Sequence, residues 1–264
     1  MNLQLDNKLA LVTGSTAGIG FAIAQGLAAE GARVIVNGRT DARVTAAMKA
    51  IRSAQAAAKL EGLVADLSQA DDARHACERF PNLEILVNNL GIYEIKPFEQ
   101  ISDGDWQRLI ETNFMSGVRL SRYWLPKMKS AGWGRIIFIS SESAINIPVE
   151  MMHYGVTKTM QLALSRGLAE TTSGTGVTVN SILAGPTRSE GVERFVEDVA
   201  KTKQISTAEV EKEFFRSVRP SSIIQRFATA EEVAALTVFV ASPLSSAING
   251  AALRADGGTV RSIT

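Results

Sequence analysis

The chain has 264 residues, with 28 Lys and Arg against 27 Asp and Glu, one cysteine (Cys77) and two histidines (His75 and His153). A hydrophobic content of 45% supports a sizeable core and excludes wholesale disorder, and a net charge of +1 offers no basic field for gripping nucleic acid. A lone cysteine excludes an internal disulfide framework and any cysteine-cluster metal site, the two histidines show no metal-ligand spacing, and proton chemistry here need not rest on histidine.

Residues 1–8 are polar and lack the charged start and apolar run of a targeting signal. The longest apolar stretch, near 233–241, is interrupted by Thr237 and falls far short of the roughly 20 residues a membrane span needs. The expectation is a soluble cytoplasmic protein with no membrane partner.

Short apolar runs alternate with longer amphipathic ones. The first strand is predicted over 9–13, and the string TGSTAGIG at 13–20 leads from it into a helix over 19–30. Ile19, Ile23, Ala24 and Leu27 recur there at helical spacing, and Gly31 ends the run. Within the loop Gly14 permits a tight turn, Gly18 lets backbone approach a phosphate, and Gly20 lets helix and strand pack closely. The N–H groups at the helix start, with Thr16 and Ile19 beside them, then offer partial positive charge to a pyrophosphate. The spacing is GxxxGxG rather than GxGxxG, and its place between strand and helix at the chain start gives it meaning.

The second strand (33–37) runs into Asn37-Gly38-Arg39. An acidic residue here would bind ribose hydroxyls and favour NAD; Gly38 instead leaves room, and Arg39 can pair with a 2′-phosphate, so NADP is expected over NAD. A helix over 42–57 and a strand over 60–65 follow. Asp66 and Leu67 come next, and Asp66 is either an acceptor for an adenine amino group or an ordinary turn residue. Strand 85–88 leads into Asn88-Asn89-Leu90-Gly91. A long helix over 103–131 carries Trp106, Leu109, Ile110, Phe114, Val118 and Leu120 near one stripe. Strand 135–140 ends at Ser141, helix 153–171 follows, and strand 177–183 leads into Ala184-Gly185-Pro186-Thr187.

The segment 187–220 breaks the rhythm, with seven basic and seven acidic residues and with Val192, Phe195, Val196 and Val199 at i, i+3, i+4 and i+7. It reads as short amphipathic helices, either a solvated excursion or a lid over a cleft. A helix over 230–241 and a strand over 251–255 close the series. Apolar strands alternating with helices predict one α/β domain over 1–264, a doubly wound parallel sheet of seven strands with helices on both faces.

Tyr154 and Lys158 stand four apart on one helix face. A phenol is a poor base at neutral pH, and a neighbouring ammonium favours the phenolate, which makes tyrosine usable as acid or base. A second pair of the same spacing, Tyr123 and Lys127, competes for this reading. Position decides: thirteen residues before Tyr154 stands Ser141 at a strand end, whereas thirteen before Tyr123 is Ile110 inside a helix. Ligands of open parallel sheets bind beyond the carboxyl ends of strands, so Tyr123 and Lys127 are read as structural. Tyr93, Glu94, Glu142, Ile147, Met151 and His153 are expected as pocket walls.

The ordered set of residues 13–20, Asn88 to Gly91, Asn113, Ser141, Tyr154 with Lys158, and Ala255-Asp256-Gly257-Gly258 resembles the short-chain dehydrogenase/reductase family over essentially the whole chain. The resemblance implies a Rossmann-type fold, commonly a homotetramer, that moves hydride between a nicotinamide and an alcohol/carbonyl pair. It makes Tyr154 the acid/base and Lys158 the residue that tunes it and bonds the nicotinamide ribose. It makes Ser141 the donor to the substrate oxygen and Asn113 the holder of a water in the proton relay. Asn89 and Gly91 would lie under the adenine side of the cofactor, and Gly185 with Thr187 or Ser189 near its carboxamide. Leu90 replaces the family's alanine in the Asn-Asn-Ala-Gly motif, and Ala184 replaces a proline. Three readings follow: an NADP(H)-dependent oxidoreductase on a small carbonyl or secondary alcohol; a 3-oxoacyl-carrier-protein reductase, which must dock an acidic partner; and a nucleotide-binding regulator without catalysis.

Overall fold

The structure, a computed structural model, describes residues 2–263. Seven parallel strands, β1 (Leu9–Val12), β2 (Arg33–Gly38), β3 (Lys59–Val64), β4 (Ile85–Asn88), β5 (Gly134–Ser141), β6 (Val177–Ala184) and β7 (Ala252–Ala255), form one sheet in the order β3-β2-β1-β4-β5-β6-β7. Strand order reverses between β1 and β4, which opens a crevice at their carboxyl ends.

The strands are apolar on both faces because each face meets helices. Ala10, Val12, Val34, Val36, Ile85, Val87, Ile137 and Ile139 enter one core layer with α1 (Gly18–Ala29), α2 (Asp41–Ala54) and α9 (Ala230–Val240). Leu11, Ile35, Leu86, Ile136 and Phe138, the alternate positions, enter the opposite layer with α3 (Ala70–Arg79), α5 (Ser116–Ser130) and α6 (Met152–Glu170). The predicted strands and the doubly wound parallel sheet are present, with ends shifted by a residue or two.

Several helices differ from expectation. The helix predicted to 57 stops at Ala54, because Gln55 turns extended and β3 begins pairing at Lys59 opposite Arg33. Helix α3 escaped prediction among its charges, although Ala73, Ala76 and Cys77 mark its buried face. The long helix over 103–131 is α4 (Asp103–Ile110), a π turn (Glu111–Met115) and α5 in succession. The segment after β6 forms α7 (Glu190–Lys203) and α8 (Thr207–Ser217), joined through Gln204 at φ +55. Val196, Ala200, Val210, Phe215 and Phe227 give this pair a small core of its own. Among the described residues no helix is long and apolar enough to cross a membrane, and no group of three or more His, Cys, Asp or Glu is placed to hold a metal.

Candidate active site

The glycine loop lies where β1 enters α1. Gly14 takes φ +61, its N–H donates to Asn37 Oδ1 at 3.0 Å, and Asn89 Nδ2 donates to the Thr13 and Gly14 carbonyls at 2.9 and 3.2 Å. A Cβ on Gly20 would stand 2.4 Å from that Asn89 amide, so only glycine lets β4's loop lie against the helix start. The first turn of α1 holds no acidic residue and Ala17 supplies no side-chain cap, leaving its N–H groups open toward an anion. This cradle fits a dinucleotide pyrophosphate, with Gly18, Ile19 and Thr16 at its rim.

At the end of β2, a Cβ on Gly38 would meet Thr16 Cγ2 at 2.5 Å and Val44 Cγ2 at 3.2 Å. Any side chain here would have to displace the Thr16 and Val44 side chains, while Arg39 beside it is exposed. Asp66, after β3, uses Oδ1 to accept from the Ser68 N–H and hydroxyl at 3.1 and 2.7 Å. Oδ1 thus serves the turn, while Oδ2 takes no part in it; Leu67 next to it is buried in the core.

The second half of the site gathers at the carboxyl ends of β4, β5 and β6. Ile19, Asn89, Gly91, Ser141, Tyr154, Lys158, Gly185 and Thr187 line one groove of about 230 Å³. Gly14, Thr16, Gly18, Gly20, Arg39, Asp66 and Leu67 lie outside it. Thr187 Oγ1 donates to the Gly185 carbonyl at 2.9 Å, whereas Ser189 is spent as the N-cap of α7, accepting from the Val192 N–H. Leu90 turns its side chain into the core layer below.

Asn113 sits in the π turn and is buried. Its Nδ2 donates to the Ile92 carbonyl at 2.9 Å and to Thr157 Oγ1 at 3.0 Å, and its Oδ1 accepts from the Ile92 N–H at 2.8 Å. The side chain thus ties the β4 loop to α6 and holds Tyr154 and Lys158 in register with it.

Burial pushes the Tyr154 phenol up to about 12, and a hydrogen bond with the Ser141 hydroxyl draws it back down in part. Lys158 Nζ donates to the Ile139 carbonyl at 2.8 Å and stands 5.7 Å from the Tyr154 ring centroid; burial draws it down to about 8. The expected lowering of the phenol by the lysine is not what this geometry gives: the ammonium bonds main chain, and desolvation of the phenol wins. The rival pair makes the closer contact, with Lys127 Nζ donating to Tyr123 Oη at 2.7 Å, yet neither residue lines this groove or the cavity beside it.

That cavity, about 590 Å³, opens from Ser141 and Tyr154 toward α7 and α8. Tyr93, Glu142 and Met151 line it as expected, together with Ile95, Val192, Phe195, Phe214 and Val218. His153 does not: it is buried and packs edge-on against Trp106 at 5.9 Å. Ile147 packs against the backbone at Gly155, and Glu94 is also absent from the wall. Arg219, which the sequence did not single out, donates through Nε to Glu142 Oε1 at 2.9 Å and through Nη1 to Glu150 Oε1 at 3.4 Å. Burial pushes the Glu142 carboxyl up, against the pull of Arg219.

Residues 8–200 match the family described as short chain dehydrogenase. The chain is 49% identical over 263 residues to uncharacterized oxidoreductase YvaG of Bacillus subtilis (strain 168), covering 100% of each. It is 36% identical over 261 residues to a D-beta-hydroxybutyrate dehydrogenase of Cupriavidus necator, covering 97% of this chain and 99% of that one. L-sorbose reductase of Gluconobacter frateurii, solved in complex with NADPH and L-sorbose, superposes with a TM-score of 0.93 at 28% identity over 100% of both chains. Sheet order, glycine loop and family match agree: the chain belongs to the short-chain dehydrogenase family and is a nicotinamide-dependent oxidoreductase working between carbonyl and alcohol.

Proposed function

We propose that this chain is an NADPH-dependent reductase of a small or medium carbonyl compound, with Tyr154 as its proton donor. The observation that carries the reading is the convergence of Ser141, Tyr154 and Lys158 where the groove meets the 590 Å³ cavity. NADP rather than NAD is supported by Gly38, crowded by Thr16 and Val44 and carrying no acidic group, and by exposed Arg39, and the sorbose reductase with NADPH is of the same fold.

The loop Gly14 to Gly20 would hold the pyrophosphate, Arg39 the 2′-phosphate, Asp66 and Leu67 the adenine end, and Asn89 and Gly91 the adenosine ribose side. Lys158 would bond the nicotinamide ribose, and Gly185 with Thr187 the carboxamide. The bound nicotinamide supplies the hydride. Ser141 and Tyr154 donate to the substrate oxygen, a preorganised pair that stabilises the developing alkoxide by a few kcal/mol. Tyr154 then passes its proton to that oxygen; a phenol near 12 is fully protonated at neutral pH, which suits reduction. Lys158 holds positive charge beside the phenolate left behind. The 187–220 segment acts as the lid, with Val192, Phe195 and Val218 forming an apolar roof. The homotetramer implied by resemblance belongs to this proposal and is checked by light scattering.

Charge in the lid does not favour the acyl-carrier reading: its seven basic residues are matched by seven acidic ones, and Arg188, Lys203 and Arg219 pair with Glu211, Glu213 and Glu142. A regulator without turnover would not need the intact set of Ser141, Tyr154 and Lys158.

The test is a panel of keto acids, β-keto esters, sugars and quinones with NADPH and NADH. Turnover with NADPH preferred is expected, and Tyr154→Phe should bind NADPH while losing at least about 100-fold in kcat. Tight NADPH binding with no turnover of any member, or a Tyr154→Phe enzyme retaining over about a tenth of kcat, overturns the reading.

A further inference from the structure

Gln161 lies on α6, three residues beyond Lys158 and seven beyond Tyr154, on the same helix face and buried. Its Nε2 donates to the main-chain carbonyl of Asn113 at 2.5 Å, and its Oε1 accepts from Lys158 Nζ at 3.4 Å. The π turn at Glu111–Met115 widens the helix at this point, a geometry that lets a side chain bond a helix carbonyl. Burying a carboxamide is unfavourable unless its groups are paired. Here both ends are paired, to two members of the candidate catalytic set on two different elements. An apolar side chain of the same volume would fill the space without joining them.

We propose that Gln161 is a positioning residue of the proton machinery: its carboxamide ties the Lys158 ammonium to the Asn113 carbonyl and so fixes where the lysine stands beside Tyr154. The proposal rests on the roles proposed above for Tyr154 and Lys158. A carboxamide has no proton to give or take near neutral pH. What it passes between Lys158 and Asn113 is orientation and charge stabilisation, not a proton. Its oxygen joins the Ile139 carbonyl in favouring the ammonium form, against the desolvation that draws the lysine down to about 8. A neutral Lys158 would leave the phenolate without a counter-charge, so the clamp bears on the proton transfer step rather than on substrate affinity.

Lysine 13Cε NMR on the full chain, without substrate, tests this, with the Lys158 resonance assigned by its loss in Lys158→Met. The wild-type midpoint should lie near 8. Gln161→Met, of similar volume, should move it down by about half a unit, and Gln161→Glu, isosteric and anionic, should move it up by about one unit. Midpoints that coincide in all three proteins overturn the proposal; if Gln161→Met fails to fold, the Gln161→Glu shift alone decides. With whichever carbonyl the panel turns over, Gln161→Met should also lower kcat severalfold at unchanged KM, and an unchanged kcat overturns it. Inactivity on the whole panel would remove the proposed function but leave the lysine titration readable, so the two failures are distinguishable.

Discussion

At Lys158, function and stability pull in opposite directions. Its buried ammonium donates to a main-chain carbonyl and an amide oxygen, neither of them a carboxylate, and burial draws it from 10.5 to about 8. A base whose folded pKa is depressed opposes folding below that pKa, because the unfolded chain binds its proton more tightly. The penalty is complete below about 8 and fades as pH rises from there to 10.5. Lys158→Met removes the penalty and leaves the Ile139 carbonyl and the Gln161 amide oxygen without their donor, a loss of about 2 kcal/mol together. The expected outcome is a protein about 1–2 kcal/mol more stable than wild type at pH 7 and nearly inactive. The stability gap should narrow between pH 8 and 10.5, as urea unfolding at several pH values would read. A variant less stable than wild type at pH 7 would contradict this account. The lysine itself was legible from its spacing to Tyr154, and Ser141 from the strand end. The state of the phenol was not, because spacing reports which groups share a face and says nothing of how far each is removed from water.

At the scale of elements, the helix pair α7–α8 is the part of the fold least legible in sequence. The apolar spacing of Val192, Phe195, Val196 and Val199 announced a helix, but not that two of these side chains would roof a cavity while Val196 enters a separate small core. Nor could charge counting single out Arg219 from six other basic residues, since its meaning comes from reaching Glu142 and Glu150 on other elements. Asn113 shows the same limit: the family pattern marks it, but the π turn that presents it lies inside what reads in sequence as one continuous helix over 103–131. Arg219 fastens the end of α8 to Glu142, the residue after Ser141, and to Glu150, so one guanidinium joins the roof to the oxygen-binding floor. Removing one partner of a buried pair destabilises by about 3–5 kcal/mol, chiefly by leaving the other unpaired. Arg219→Met should therefore raise KM several-fold and speed limited proteolysis within 187–220. Adding Glu142→Gln should restore part of the loss, with a coupling of at least about 1 kcal/mol in the double-mutant cycle. Simple additivity of the two substitutions would show that the pair does not fasten the segment.

Across the whole molecule, the sheet separates chemistry from support. Every candidate site residue on a strand end lies at the carboxyl edge, and the amino edge of β5 is held by a different device. Arg135 is fully buried there, with Nε donating to the Ser242 carbonyl at 3.2 Å and Nη1 to the Gly134 and Gly176 carbonyls at 2.9 and 3.0 Å. Nη2 donates to Ser246 Oγ at 2.9 Å, and the guanidinium stacks 4.6 Å from the Trp133 ring centre. One side chain thus joins β5 to the turn before β6 and to the connection between α9 and β7. Burial draws the guanidinium down to about 10, the mark of a charge held by dipoles instead of a counter-ion. Nothing in the sequence distinguishes Arg135 from a strand-edge arginine facing solvent, because its acceptors come from residues up to 111 positions away. Arg135→Met would take this donor from the Gly134 and Gly176 carbonyls, while the Ser242 carbonyl keeps its bonds from Ser245, and should cost about 2 kcal/mol, lowering the melting temperature by roughly 4–8 °C. Arg135 lies at the opposite end of β5 from Ser141, about 20 Å along the strand, so kcat of the folded fraction should stay near wild type. A variant that melts normally but loses kcat would show that the amino edge of the sheet takes part in the chemistry, against the division of labour drawn from its topology.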